Sequence, residues 1–198
     1  MSNEAPTTTA PATIADPAAL GLAGFAFTTL LLSFANANII AEKGAIVIVL
    51  GAAAFYGGLA QLLAGMWEFK RGNTFGATAF SSFGAFWLSY WWIVNHLTGD
   101  DVHQALGLYL IGWCLFTAYM TVAALRTSAA VLAVFAFLTV TFLFLGIGAF
   151  QNGMPAPDAL TKVGGWLGIV TAAAAFYASA ATVINSTHKR DVLPTMPR

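Results

Sequence analysis

The sequence predicts an all-α integral membrane protein, with six transmembrane helices as three repeated two-helix hairpins around a central pathway. Three observations predict it. The 198 residues are 59% apolar and only 8% charged, whereas a soluble domain is about a quarter charged. Charge-poor stretches of about 20 residues, the length that crosses a bilayer, recur along the chain. Three of those stretches also share a residue pattern at a spacing of one helical hairpin.

The first 15 residues, rich in Thr, Ala and Pro, have neither the basic start nor the apolar run of a secretory signal. They read as a disordered cytoplasmic tail. The transmembrane domain is expected over residues 16–186. Asp16-Pro17 opens the first span, with Asp suited to an N-cap and Pro to the first helical position. The spans are Pro17–Ala41, Gly44–Trp67, Thr74–Val94, Gln104–Leu125, Thr127–Phe150 and Val163–Ile184. Spanning β-strands are shorter and alternate in hydrophobicity; these segments do neither. Residues 187–198 follow as a second cytoplasmic tail. Lys70, Arg71, Arg126, Lys189, Arg190 and Arg198 fall on the side of the termini, against Lys43 and Lys162 opposite. That bias places both termini in the cytoplasm and the protein in the cell membrane. Trp67, Trp91, Trp92 and Trp166, near span ends, suit an interfacial belt.

Arg71 precedes Phe83 by twelve residues, and Arg126 precedes Leu138 by twelve. Phe80 and Phe135 hold the same place three residues earlier, and Phe25 fits the frame on the first span. The spacings are 58 and 55 residues, about one hairpin. Odd-numbered helices would then surround one axis and even-numbered helices pack outside. Phe25, Phe83 and Leu138 would meet at one depth as an apolar ring. Small polar residues on the same helices would line a wet path: Thr28, Thr29 and Ser33; Thr78, Ser81 and Ser82; Thr139 and Thr141. The alternative for each is a hydroxyl bonded back to its own helix or packed at a helix contact.

The mid-span regions hold no Asp, Glu, Lys, Arg or His, groups that normally mark proton relays and ion coupling. No nucleophile, base and acid cluster together, so an enzyme is not expected, and neither a cofactor nor a metal site is indicated. Zero net charge gives no case for nucleic acid. Cys114 reads as a buried structural thiol. Glu68, beside Lys70 and Arg71, reads as half of a screened surface pair or as part of a cytoplasmic vestibule. Gln61, inside the second span, needs a partner: a neighbouring helix or substrate. Gly57 and Gly58, and the Gly164, Gly168, Ala172 stripe, fit close helix contacts within one chain or between subunits.

Several runs together resemble the acetate uptake transporter family, of the succinate–acetate permease type. They are PAALGLAGFAFTTLLLSFANAN, FYGGLAQLLAGMWEFKRGNTFGATAFSSFGAFWLSYWW, LGLYLIGWCLFTAYM and the tail VLP. The likeness runs from about Asp16 to Pro194. It implies a six-helix protomer in a homo-hexamer, with one pathway per protomer carrying acetate and in some members succinate. Members are described as proton symporters and as anion channels. The family's apolar constriction corresponds to Phe25, Phe83 and Leu138. Two departures stand out. Asp16 and Ala19 replace the Asn and second Pro of the family's opening motif, which adds negative charge at a possible mouth. Phe83 stands where bacterial relatives often have Tyr, which removes a hydroxyl.

The expected activity is therefore membrane transport of small carboxylates, chiefly acetate, through a hydrophobic constriction, as an anion channel or a proton-linked symporter. Ser82 and Thr139 are the ligands expected beside the neck, with Thr28, Thr29 and Gln61 next. The partners are the carboxylate, membrane lipid and further copies of the chain. The uncharged lining also admits a channel for a small neutral solute such as urea or ammonia. A sensor or assembly scaffold is the alternative without transport.

Overall fold

The computed structural model describes residues 14–42, 44–97, 102–152 and 158–196. Most of the expected N-terminal tail, Lys43 and Arg198 lie outside them. The described residues form six long helices: α1 (Ala18–Asn36), α2 (Ala45–Arg71), α3 (Thr74–His96), α4 (His103–Ala124), α5 (Ala129–Asn152) and α6 (Ala159–His188). All but α3 are long and apolar enough to cross a membrane; α3 is diluted by its hydroxyls and by Tyr and Trp. Packed neighbours run antiparallel. The chain ends and the α2–α3 and α4–α5 turns therefore share one face, the near face, and the other connections share the far face.

Local chemistry sets the helix ends. Asp16 accepts the Ala18 N–H at 3.0 Å and so caps α1. The helix ends five residues short of the expected Ala41, because Asn38 turns left-handed at φ 58°. Gly72, at φ 75°, closes α2 with its N–H on the last carbonyls. Asn73 then starts α3 by accepting the Gly76 N–H at 3.1 Å. Asp158, accepting the Thr161 N–H at 2.6 Å, starts α6 before the expected Val163. Beyond α6 the tail folds back: Tyr177 donates to the Pro194 carbonyl at 2.6 Å, and Asn185 holds Val192 and Leu193. The Ala129 N–H, at the start of α5, reaches the Met196 carbonyl at 3.1 Å.

Within α2, residues Phe55–Ala60 wind as a π-helical turn. Such a turn displaces carbonyls from the regular ladder. Thr28 of α1 donates to one of them, on Ala52, at 3.4 Å. Gly24 lies so close to α2 that a Cβ there would meet the Tyr56 carbonyl, and a Cβ on Gly57 would meet Thr28.

The most extensive packing joins α1 to α6, α4 to α5, α5 to α6 and α2 to α3; α3 and α4 make the least. Small residues bring backbones together: Gly65 lies against Ser81, Gly84 against Leu62, and Gly165 against Asn36 and Ala37. Gly164 faces Leu145 and Gly168 faces Ser33, so this stripe serves contacts within the chain. Two features depart from the expected arrangement. Helices α3 and α4 scarcely pair, and α4 brings Trp113 and Phe116 to the central rings. The most exposed large apolar side chains of the bundle stand on α2 and α4, with Phe55 at 73% and Leu108 at 68%. Trp67, Trp91, Trp92 and Trp166 are exposed, whereas Trp87 is buried.

Candidate functional site: a central cavity above a ring of aromatic side chains

Halfway along the bundle, α1, α3 and α5 bring Phe25, Phe83 and Leu138 into one buried cluster. The Phe25 and Phe83 rings are 5.5 Å apart. Phe83 also meets Trp113 at 5.8 Å, Phe116 at 5.4 Å and Phe135 at 6.1 Å. Burial of such rings, each offering an edge or a face to the next, fills this level with apolar surface.

A cavity of about 310 Å³ extends from Phe25 and Leu138 to Asn36, Val94 and Thr161 near the far face. Its volume suits a small organic solute. Phe86, Trp87 and Tyr90 of α3 and Tyr109 of α4 also wall it, and no charged side chain among the described residues lines it. Phe83 is not in the wall; it lies against Phe25 on the near side of the cavity floor.

Two residues of the wall carry buried polar atoms without a protein partner, the Thr29 hydroxyl and the Trp87 indole nitrogen. Both can donate, and indole N–H can only donate. Removed from water without a partner, each is costly unless a solute or water completes it.

The structure separates the other expected ligands. Thr28 is buried against α2 and bonded to Ala52. Thr139 donates to the Phe135 carbonyl at 2.8 Å and meets the Thr121 hydroxyl at 3.0 Å. Thr141, in the wall, donates back to Phe137 at 2.9 Å. Ser33 lies in the wall, while Ser82 and Thr78 are half-buried outside it. Gln61 is 1% exposed, and its side-chain oxygen has no partner. It stands on the α2 face shared by Gly65 and Glu68, away from the cavity wall. Cys114 is buried and donates weakly to the Thr139 carbonyl at 3.4 Å.

Glu68 corrects the surface-pair reading. It is 0% exposed, because Gly76 of α3 packs directly on its carboxyl group. Arg71 pairs with Asp16 at 2.5 Å and lies 3.9 Å from Glu68. The negative charge of Asp16 is thus already engaged.

Sequence reasoning missed Trp87 and the α4 aromatics. Tyr109, Trp113 and Phe116 recur at helix spacing on one face of α4, and that was the available signal. Trp87 sits one turn beyond Phe83, hidden in a run that reads as an interfacial belt.

Helices of spanning length around an uncharged, solute-sized cavity define the class: a multi-pass membrane protein with a central binding space. The family model described as the GPR1/FUN34/yaaH family matches residues 2–197, and this chain belongs to that family. It is 41% identical over 198 residues to acetate permease A of Emericella nidulans, covering 91% of this chain and 65% of that protein. It is 40% identical over 185 residues to the succinate-acetate/proton symporter SatP of Escherichia coli, covering 91% and 95%. Its fold matches a solved structure of the bacterial acetate channel SatP with a TM-score of 0.83. Identity there is 39%, covering 92% of this chain and 99% of that one. The chain spans about three fifths of the length of several fungal relatives it matches.

Proposed function

We propose that this protein moves small carboxylates, chiefly acetate, across the cell membrane through the cavity and past the Phe25–Phe83–Leu138 level. One observation carries the reading: an apolar cavity, uncharged among the described residues, whose wall residues Thr29 and Trp87 carry buried donors without a protein partner. A carboxylate offers acceptors to those donors and lays its methyl end on Phe25, Phe86 and Leu138. An indole N–H suits an oxygen acceptor and not an ammonium ion. A wall without fixed charge holds the anion weakly enough to release it, and the apolar floor opposes hydrated inorganic ions by dewetting. Thr29 and Trp87 are the first ligands in this reading. Ser82 acts on the near side of the ring and Thr28 and Thr139 beside it, and Gln61 has an oxygen to satisfy. Similarity to an acetate permease, a succinate-acetate/proton symporter and an acetate channel supports the substrate class. The same similarity supports transport in place of catalysis.

The finer architecture belongs to the same proposal. The pairs α2–α3, α4–α5 and α6–α1 recur as one packing unit per repeat, which sets Phe25, Phe83 and Leu138 at equivalent depth. The near face is cytoplasmic by its lysines and arginines. The apolar outer surfaces of α2 and α4 meet lipid and neighbouring copies in a hexamer.

The test is uptake of labelled acetate by liposomes holding the purified protein, at fixed voltage, with and without an inward proton gradient, against empty liposomes. Protein-dependent uptake is expected. Uptake equal to that of empty liposomes overturns the carboxylate reading, and urea and ammonia flux are then the next comparison.

A further inference from the structure

From the near face up to the aromatic level, α2 and α3 enclose a column of unsatisfied polar atoms. Gln61, Gly65 and Glu68 share one face of α2, at successive turns. Ser81 of α3 packs on Gly65, and Gly76 of α3 packs on Glu68. The Gln61 oxygen, the Ser81 hydroxyl and Glu68 Oε1 are all buried without a partner. The other Glu68 oxygen accepts from Asn73 Nδ2 at 2.9 Å.

A carboxyl group cut off from water must be compensated by partners or carry a proton. The compensation here is incomplete. Arg71 is the nearest cation, 3.9 Å away, and it is bound more closely to Asp16 of α1. Lys70, the other charged group at this helix end, is exposed, and α3 contributes Asn73 and Gly76, which do not titrate. Two carboxylates and one guanidinium leave one net negative charge within this cluster. The position matters as well. Gly76, Phe80 and Phe83 lie on one face of α3, so Glu68 sits about 10 Å along the helix from the ring that floors the cavity.

We propose that Glu68 is the proton-binding group of this protein: a proton on it neutralises the near-face cluster and lets the carboxylate leave past Phe83. The inference rests on the carboxylate-transport reading and supplies the titratable group that the mid-span sequence lacks. With Glu68 ionised, an arriving anion meets a like charge that solvent screens poorly. With Glu68 protonated, Asp16 and Arg71 neutralise each other and the barrier falls. The unpaired Ser81 and Gln61 atoms extend polar groups from Glu68 toward the aromatic level.

The decisive variant is Glu68→Gln. It keeps an oxygen for Asn73 and the shape that Gly76 packs on, and it removes only the titration. Acetate uptake is measured at clamped voltage while the pH on the near face is varied. Wild-type flux is expected to fall as pH rises, approaching tenfold per pH unit on the steep limb for a single proton. The variant is expected to hold the high flux at all pH values. A variant with the wild-type pH profile, or a wild type without pH dependence, overturns the proposal. Acetate flux absent from both proteins overturns the transport reading itself.

A second measurement leaves Glu68 in place. The chain has glutamates at 4, 42 and 68 only, so a Glu4→Gln, Glu42→Gln protein labelled with ¹³C-glutamate reports Glu68 by infrared spectroscopy. A protonated-carboxyl band should disappear over the pH range in which flux falls. A band that does not change across that range overturns the proposal.

Discussion

Helix α3 meets its two sequence neighbours in different ways. Against α2 it packs backbone to backbone: a Cβ on Gly65 would lie 2.5 Å from the Ser81 nitrogen, and one on Gly84 would lie 2.7 Å from the Leu62 nitrogen. Against α4 it packs ring to ring, through Phe83, Phe86, Trp113 and Phe116. Gly112, an exposed glycine of α4 beside its ring-bearing face, has open space where its Cβ would stand. Interlocked backbones fix one distance, whereas rings change rotamer and keep their contacts. The α2 side therefore holds α3 in place, and the α4 side forms a wall that a solute can move against.

The sharpest break of this comparison is a pair of glycine variants. Gly65→Leu must push α3 away from α2, because the obstructing atoms are backbone. It is expected to cost at least about 3 kcal/mol, the upper range for overpacking, and to leave no folded protein by size-exclusion chromatography in detergent. Gly112→Ala should fold and gain up to about 1 kcal/mol from helix propensity. Equal behaviour of the two variants would show that the interfaces do not differ.

Phe83→Ala comes next, because Phe83 carries the ring contacts of the α4 side. Losing its ring contacts should cost about 3–5 kcal/mol, read by thermal unfolding. Surviving protein should admit chloride, measured by chloride efflux from liposomes. Unchanged acetate flux and unchanged exclusion of chloride would remove Phe83 from the barrier.

Much of this organisation was legible in the sequence. The spans followed from charge-poor length, and the α1 cap at Asp16 from residue type. The repeat frame aligned Phe25 with Phe83, and the structure brings their rings together. What failed did so for physical reasons. Charge placement made Glu68 look solvated, but a glycine one helix away can bury a carboxyl group, and spacing within α2 cannot show that. Ser and Thr were read as lining, yet Thr28 and Thr139 spend their hydroxyls on backbone, a competition that composition does not resolve. Helices α3 and α4 were paired as neighbours in sequence, but each packs more extensively on another helix. The π-helical turn at Phe55–Ala60 leaves no trace in hydropathy, because it changes hydrogen-bond register and not polarity.

Donor removal in the wall is a gentler test. Thr29→Val and Trp87→Phe delete unpaired buried polar atoms while keeping most of the shape. Stability should hold or rise in Thr29→Val, because no protein bond is lost, and fall in Trp87→Phe, which also removes buried ring atoms. The half-saturating acetate concentration should rise about tenfold for each variant, the equivalent of ~1.4 kcal/mol for one hydrogen bond. Unaltered saturation in both would place the carboxylate elsewhere in the path.

The smallest expected effect concerns the hydrogen bond that ties α3 to α4. Ser89 Oγ lies 2.6 Å from the Tyr109 hydroxyl and 2.8 Å from the Phe86 carbonyl. A serine hydroxyl has one hydrogen, and the carbonyl can only accept, so Ser89 donates to Phe86 and Tyr109 donates to Ser89. Tyr109→Phe then removes this bond, at a cost of about 0.5–1.5 kcal/mol by chemical denaturation. Because Tyr109 also walls the cavity, acetate flux should change in the same variant. A loss of stability as large as that of Phe83→Ala would mean that the α4 side is held by this bond and not by its rings, and the contrast between the two faces of α3 would fail.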